Sequence, residues 1–97
     1  WIGRGTARHR QGDLHGAAAD YLAAVRLDGA QVGARNNLAL TLLELGCPHA
    51  ARAQIEGMAV EGLPSALRAA VEDTRAQIAK ATEVSADDAI ACRAAGR

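Results

Sequence analysis

Cys47 and His49 flank Pro48 and bring a thiol and an imidazole within two positions, the residue types of a nucleophile and its base. Such a pair also needs a third group to orient the imidazole and an oxyanion site, and no residue nearby supplies either, so both read as turn residues at a surface. Adding His15 and Cys92 gives two thiols and two imidazoles, but their spacing matches no zinc pattern. No HExxH, GxSxG or phosphate-cradling glycine loop occurs, and Gly3-Arg4-Gly5 is a GxG inside a helical stretch. The chain therefore reads as non-catalytic, with no metal and no cofactor. Asn36 and Asn37 suggest a different chemistry, because a side-chain amide both donates and accepts and can grip a peptide backbone whatever its sequence. The plainer reading of the same residues is a solvated or locally capping pair in the first turn of a helix.

Positioning such groups requires rigid elements, and the composition allows one kind. Of 97 residues 49% are hydrophobic, yet there is one Trp, one Tyr and no Phe, so any core is built from closely approaching backbones. The dominance of Ala, Leu, Arg and Glu points to helices, and the lack of aromatics argues against a small β-sandwich or a base-stacking platform. Eleven basic and eleven acidic residues cancel, so no global field draws the chain to nucleic acid or to an anionic membrane. Arg4, Arg8 and Arg10 crowd the first helix and read as a solvated face. No apolar run approaches the roughly 18 residues of a membrane span. Cys47 and Cys92 read as small, buried or half-buried residues without a disulfide framework, and two free thiols lean towards the cytoplasm. The chain begins at Trp1 without Met, as a domain cut from a longer protein would, and its Ala, Arg and Gly content resembles that of a high-GC bacterial genome.

Read in order, the pattern predicts helices over 1–11, 13–27, 31–45, 48–59 and 66–82. Gly12-Asp13 stops the first and caps the second, with Ala17, Tyr21, Ala24 and Val25 on the apolar face and Asp20 and Arg26 away from it. The third carries Leu38, Leu42 and Leu45 at i, i+4, i+7, widened by Leu40 and Leu43, and is expected to be the most buried. Gly46 ends it and Pro48 opens the fourth, which carries Ala51, Ile55 and Met58. Ser65 is the expected cap of the fifth, whose dry side is Leu67, Ala70, Val71, Thr74, Ile78 and Ala81. Residues 83–97 form a tail, read as a short helix or a flexible linker.

Shifting the sequence by 34 residues lays Gly12 on Gly46, Ala17 on Ala51, Tyr21 on Ile55, Ala24 on Met58 and Gly5 on Ala39. A helix-turn-helix recurring every 34 residues resembles the tetratricopeptide repeat. The first copy matches that family's pattern at Trp1, Gly5, Gly12, Asp13, Ala17, Tyr21 and Ala24. The second matches at Leu38, Ala39, Leu42, Gly46, Ala51, Ile55 and Met58. Arg4 and Arg8 depart from it, standing where Leu and an aromatic are usual, as does Gly29 in place of proline. These departures suggest a missing upstream element or arginines that reach out to solvent.

The resemblance implies an all-α superhelix, or solenoid, of antiparallel hairpins. Its repeats would cover residues 1–29 and 30–62 and its capping helix 64–82, within a domain of 1–82. The first helix of each hairpin would then line a groove for an extended peptide or partner helix. Mapped here, that groove presents Ile2, Thr6 and His9, then Asn36, Asn37, Leu40 and Leu43, then Arg68, Glu72 and Arg75. The family's five-residue carboxylate clamp falls on Ile2, Thr6, Asn37, Ser65 and Ala69, keeping only one asparagine, so a clamp is not expected. The function expected is a protein-interaction module or scaffold with a protein or peptide partner. The alternative is a structural cap or spacer with no ligand of its own, and a homodimer through the apolar edge around Trp1 and Ile2 is compatible with either.

Overall fold

A computed structural model describes residues 2–28, 31–56 and 58–84 as five helices, with no strand among the described residues. They are α1 (Ile2–Arg10), α2 (Leu14–Leu27), α3 (Val32–Glu44), α4 (Pro48–Ile55) and α5 (Ser65–Val84). The chain is all-α. Of the tail 83–97, expected as a short helix or linker, residues 83 and 84 belong to α5 and 85–97 lie outside the described residues, as do Trp1 and Gly29.

The two tight turns are built alike. Gly12 and Gly46 have φ of +82° and +80°, a left-handed conformation that costs glycine little and any residue with a Cβ a good deal. Behind each, the next backbone N–H reaches back five residues, Asp13 to the Arg8 carbonyl and Cys47 to the Leu42 carbonyl, both at 2.9 Å. That closure satisfies carbonyls a helix end leaves open, and it sends the following helix back antiparallel. Asp13 Oδ1 then accepts from the Gly16 N–H at 3.0 Å and caps α2, while Pro48 occupies the first turn of α4.

Two element ends differ from the sequence expectation. α4 stops at Ile55, short of residue 59, where Glu56 turns to ψ 134°. Its terminal carbonyls are taken from outside, Gln54 by Arg35 Nη1 at 3.1 Å and Ile55 by Arg75 Nη2 at 3.3 Å. Arg75 Nη2 also donates to the Met58 carbonyl at 2.6 Å, so Met58 packs half-buried from a non-helical segment. At α5 the Pro64 carbonyl accepts the first helical bond from Arg68 N at 2.9 Å, which makes Ser65 the first helical residue and not the cap.

Packing follows chain order, α1 on α2, α2 on α3 and α3 on α4, with α5 lying against both α3 and α4. α3 thus packs mainly on α2, α4 and α5 and buries Ala34, Leu38, Ala39 and Leu42. Around it close Ala17, Ala18, Ala24, Ala51, Ile55, Val71 and Ile78, so alanine supplies much of the interface and helix axes can approach closely. Of the expected dry side of α5, Val71, Thr74 and Ile78 are buried, Leu67 and Ala81 are half-buried and Ala70 is exposed.

Cys47 is buried, at 2% exposure, and it is disulfide-bonded. The expectation of free thiols is therefore corrected, and with it the lean towards the cytoplasm loses its premise. A sulfur held in a disulfide also has no thiolate to offer His49.

The other correction concerns Asp20, placed by the sequence pattern on the polar side of α2. It is 2% exposed and faces α1. Arg4 grips it with Nε at 3.1 Å from each carboxylate oxygen and Nη2 at 2.7 Å from Oδ1, and Arg8 Nη1 lies 3.4 Å from Oδ2. Both arginines keep part of their side chains in solvent, 53% for Arg4 and 36% for Arg8, while their guanidiniums turn to Asp20. α1 and α2 come close because Gly5 has no side chain: a Cβ there would stand 2.9 Å from the Tyr21 ring, and the Asp20 turn of α2 is carried in with it. A fork of guanidinium donors then compensates the buried carboxylate.

The hydrogen bonds from Arg4 hold the Asp20 carboxyl below its ordinary range; burial opposes this, and the charges of Arg4 and Arg8 reinforce it. Because the folded-state value lies below the unfolded one, the stabilisation is present above about pH 4 and is lost as pH falls through the folded value. Asp20→Asn should destabilise the protein at neutral pH. The gap from wild type should narrow as pH is lowered from neutral to below the ordinary aspartate range of about 4, as urea midpoints at the two pH values would report. An equal gap at both would contradict this account of Asp20.

Candidate groove between α1 and α3

α1 and α3 both pack on α2, and the three helices together line a cavity of about 210 Å³. Thr6 and His9 line it from α1, Tyr21 forms the back, and Asn37, Leu40, Thr41 and Glu44 line it from α3. On α3 these positions follow one helical stripe, i, i+3, i+4, i+7, so a single face looks into the cavity. The Tyr21 hydroxyl lies 3.0 Å from Thr6 Oγ1, which fixes the ring against the Gly5 backbone. His9 Nε2 meets Glu44 Oε2 at 2.7 Å and closes one end of the groove. Both partners are partly exposed, so this contact is worth under about 1 kcal/mol and opens readily.

Thr41 Oγ1 donates to the Asn37 carbonyl at 2.8 Å, satisfying its own hydroxyl inside α3. Among the described residues no hydrogen bond engages the Asn37 side-chain amide, which is half-buried at the cavity wall. The wall therefore offers one amide with donor and acceptor, the three hydroxyls of Thr6, Tyr21 and Thr41, one aliphatic side chain and an imidazole-carboxylate pair. This set can donate hydrogen bonds to polar backbone groups and accept them.

Of the residues expected to bind a partner, Thr6, His9, Asn37 and Leu40 come together here. Asn36 is turned inward at 5% exposure, and its Oδ1 is buried without a partner among the described residues. Leu43 is half-buried against the core. Arg68 and Glu72 are exposed on α5, away from the cavity, and the Arg75 guanidinium is committed to the end of α4. Ile2 lines a separate cleft of about 300 Å³ with Gly3, Ala24, Leu27 and Gln31. Tyr21, Thr41 and Glu44 were not singled out as groove residues from sequence. Thr41 and Glu44 could have been, since they share the helical phase of Asn37 and Leu40.

No family model, curated protein or solved structure matches the chain. The chemistry of the site thus rests on its own geometry. Among the described residues no group of three or more His, Cys, Asp or Glu side chains is placed to hold a metal ion, and no helix is long and apolar enough to cross a membrane.

Proposed function

We propose that the chain is a tetratricopeptide-like stack of two antiparallel hairpins closed by α5, and that it holds an extended peptide in the groove between α1 and α3. The observation that carries this reading is that Thr6 and Leu40, 34 positions apart, line one cavity together with Asn37, whose side-chain amide no hydrogen bond engages among the described residues. Equivalent positions of successive hairpins lining one trough is what a solenoid with this period would produce. Matching Schellman closures at Gly12 and Gly46 support the same period.

In this role Asn37 reads peptide backbone through both halves of its amide, and Leu40 with the Tyr21 ring receives one apolar side chain. Opening of the His9–Glu44 contact would free an imidazole and a carboxylate for the end of the bound segment. No step of bond-making is involved.

The test is a displayed library of extended peptides selected on the full chain and on an Asn37→Ala/Leu40→Glu variant. Selected peptides should bind the variant at least about tenfold more weakly, the loss of 1.4 kcal/mol or more expected when a hydrogen-bonding amide and an apolar contact are removed together. Equal affinity for both proteins would refute the groove.

A second reading is favoured by one specific observation. Leu27 is 74% exposed and Ile2 37%, beside the cleft at the α1–α2 edge. A spacer domain would bury that edge against a neighbour, and a homodimer would bury it against a second copy. In either case the library should yield no peptide dependent on Asn37.

A further inference from the structure

Given a peptide seated in the groove between α1 and α3, the reading proposed above, we infer that the preferred peptide carries a lysine two residues from its apolar anchor and that Glu44 holds the lysine ammonium. Of the described residues lining the groove, Glu44 alone is acidic and none is Lys or Arg. The larger hollow between α4 and α5, about 450 Å³, is lined by Arg52 and Arg75 as well as Glu56 and Glu83, so it selects no sign of charge. The last turn of α1 brings two arginines near the groove. Arg8 turns away to Asp20 at 3.4 Å and to the Gly16 carbonyl at 3.5 Å, and Arg10 is exposed and does not line the cavity.

Glu44 stands where helix electrostatics disfavours a carboxylate. It is the last residue of α3, at the negative end of the helix dipole, and its contact with His9 brings the C-terminal turn of α1 alongside. Two helix ends and one carboxylate make this end of the groove attractive to a cation. In the free protein an imidazole N–H of His9 donates to Glu44 Oε2 at 2.7 Å, so the carboxylate already reaches across to α1. Both partners are partly exposed, and an ammonium can replace the imidazole at little cost. Thr41, one turn earlier, has spent its hydroxyl hydrogen on the Asn37 carbonyl and keeps only acceptor capacity. An ammonium, with three donors and no acceptor, suits such surroundings.

The spacing selects a side chain over a chain terminus. Leu40 and Glu44 stand at i and i+4 on one stripe of α3, about 6 Å apart along the axis. In an extended peptide, side chains two residues apart point the same way and lie about 6.4–6.8 Å apart. A residue seated on Leu40 therefore brings the side chain two positions along to Glu44. The methylene stem of a lysine there lies along the wall while its head meets the carboxylate.

Binding by the full chain should be titrated with an Asn37-dependent peptide from the library and with the same peptide carrying norleucine in place of lysine. Glu44→Gln should weaken the lysine peptide roughly two- to fivefold, the range of a partly exposed ion pair, and leave the norleucine form unchanged. Glu44→Lys should reverse the order, preferring a peptide with glutamate in place of the lysine, and circular dichroism melts should show both variants folded. Asn37-dependent peptides without lysine at this spacing, or equal losses for the lysine and norleucine forms, would overturn the assignment while leaving the groove standing. So would a loss of the Glu44 dependence on acetylating the peptide N-terminus. A library that yields no Asn37-dependent peptide would overturn both.

Discussion

Leu42→Ala should lower the unfolding free energy by about 2–5 kcal/mol, with the upper half of that range expected. Leu42 has no exposure to solvent and sits in α3, which packs on α2, α4 and α5. Its loss removes the transfer energy of a buried side chain and leaves a cavity whose walls cannot collapse inward. Many neighbours are alanines, which have no rotamers with which to fill space, and the few larger ones, Leu38, Ile55 and Val71, are already fully enclosed. Few large side chains carry this core, so each carries more of it. Thermal and urea melts followed by circular dichroism would measure the effect, and a midpoint shift at unchanged urea slope would show that stability and not compactness has changed. A loss below about 1 kcal/mol would mean that the site relaxes, against the close packing described.

Ala51→Leu should cost about 1–3 kcal/mol for the opposite reason, overpacking. Ala51 is fully buried where α4 meets α3, and Ala17 is fully buried where α2 meets α1. If short side chains are what allow each pair of helices to approach, Ala17→Leu should cost a similar amount, since both pairs are closed by the same turn geometry. Exposed alanines on the same two helices, Ala19 and Ala53, provide the contrast: leucine there should change stability by no more than about 0.5 kcal/mol. Equal effects at buried and exposed positions would show that helix propensity, and not interhelical spacing, governs these sites.

Much of the fold was legible because it is written in local signals. Gly12 and Gly46 mark their turns without reference to any other part of the chain, and the apolar stripe of α3 is a property of α3 alone. Long-range choices were not legible. Asp20 is a polar residue on a helix until Arg4 and Arg8 arrive from another helix, and the arrival depends on Gly5 letting Tyr21 in. α4 shortens because Arg35 and Arg75 take its last carbonyls, a competition between segments that no window along α4 contains.

The groove divides in the same way. Asn36 and Asn37 are adjacent in sequence but about 100° apart around a helix, and which of them faces the groove is set by how α3 is rotated against α2 and α5. Once Asn37 is known to point outward, Leu40, Thr41 and Glu44 follow from helical phase. Cys47 is a different case, since the same residue serves as a small buried apolar group or as half of a disulfide, and neither its neighbours nor its spacing from Cys92 distinguishes the two.

The groove itself can be examined most directly by amide and side-chain chemical-shift mapping of the full chain titrated with a library-selected peptide. The account predicts that shifts concentrate at Thr6, His9, Tyr21, Asn37, Leu40, Thr41 and Glu44, on both facing helices at once. Shifts gathered instead at Ile2 and Leu27, or along the hollow between α4 and α5, would contradict it.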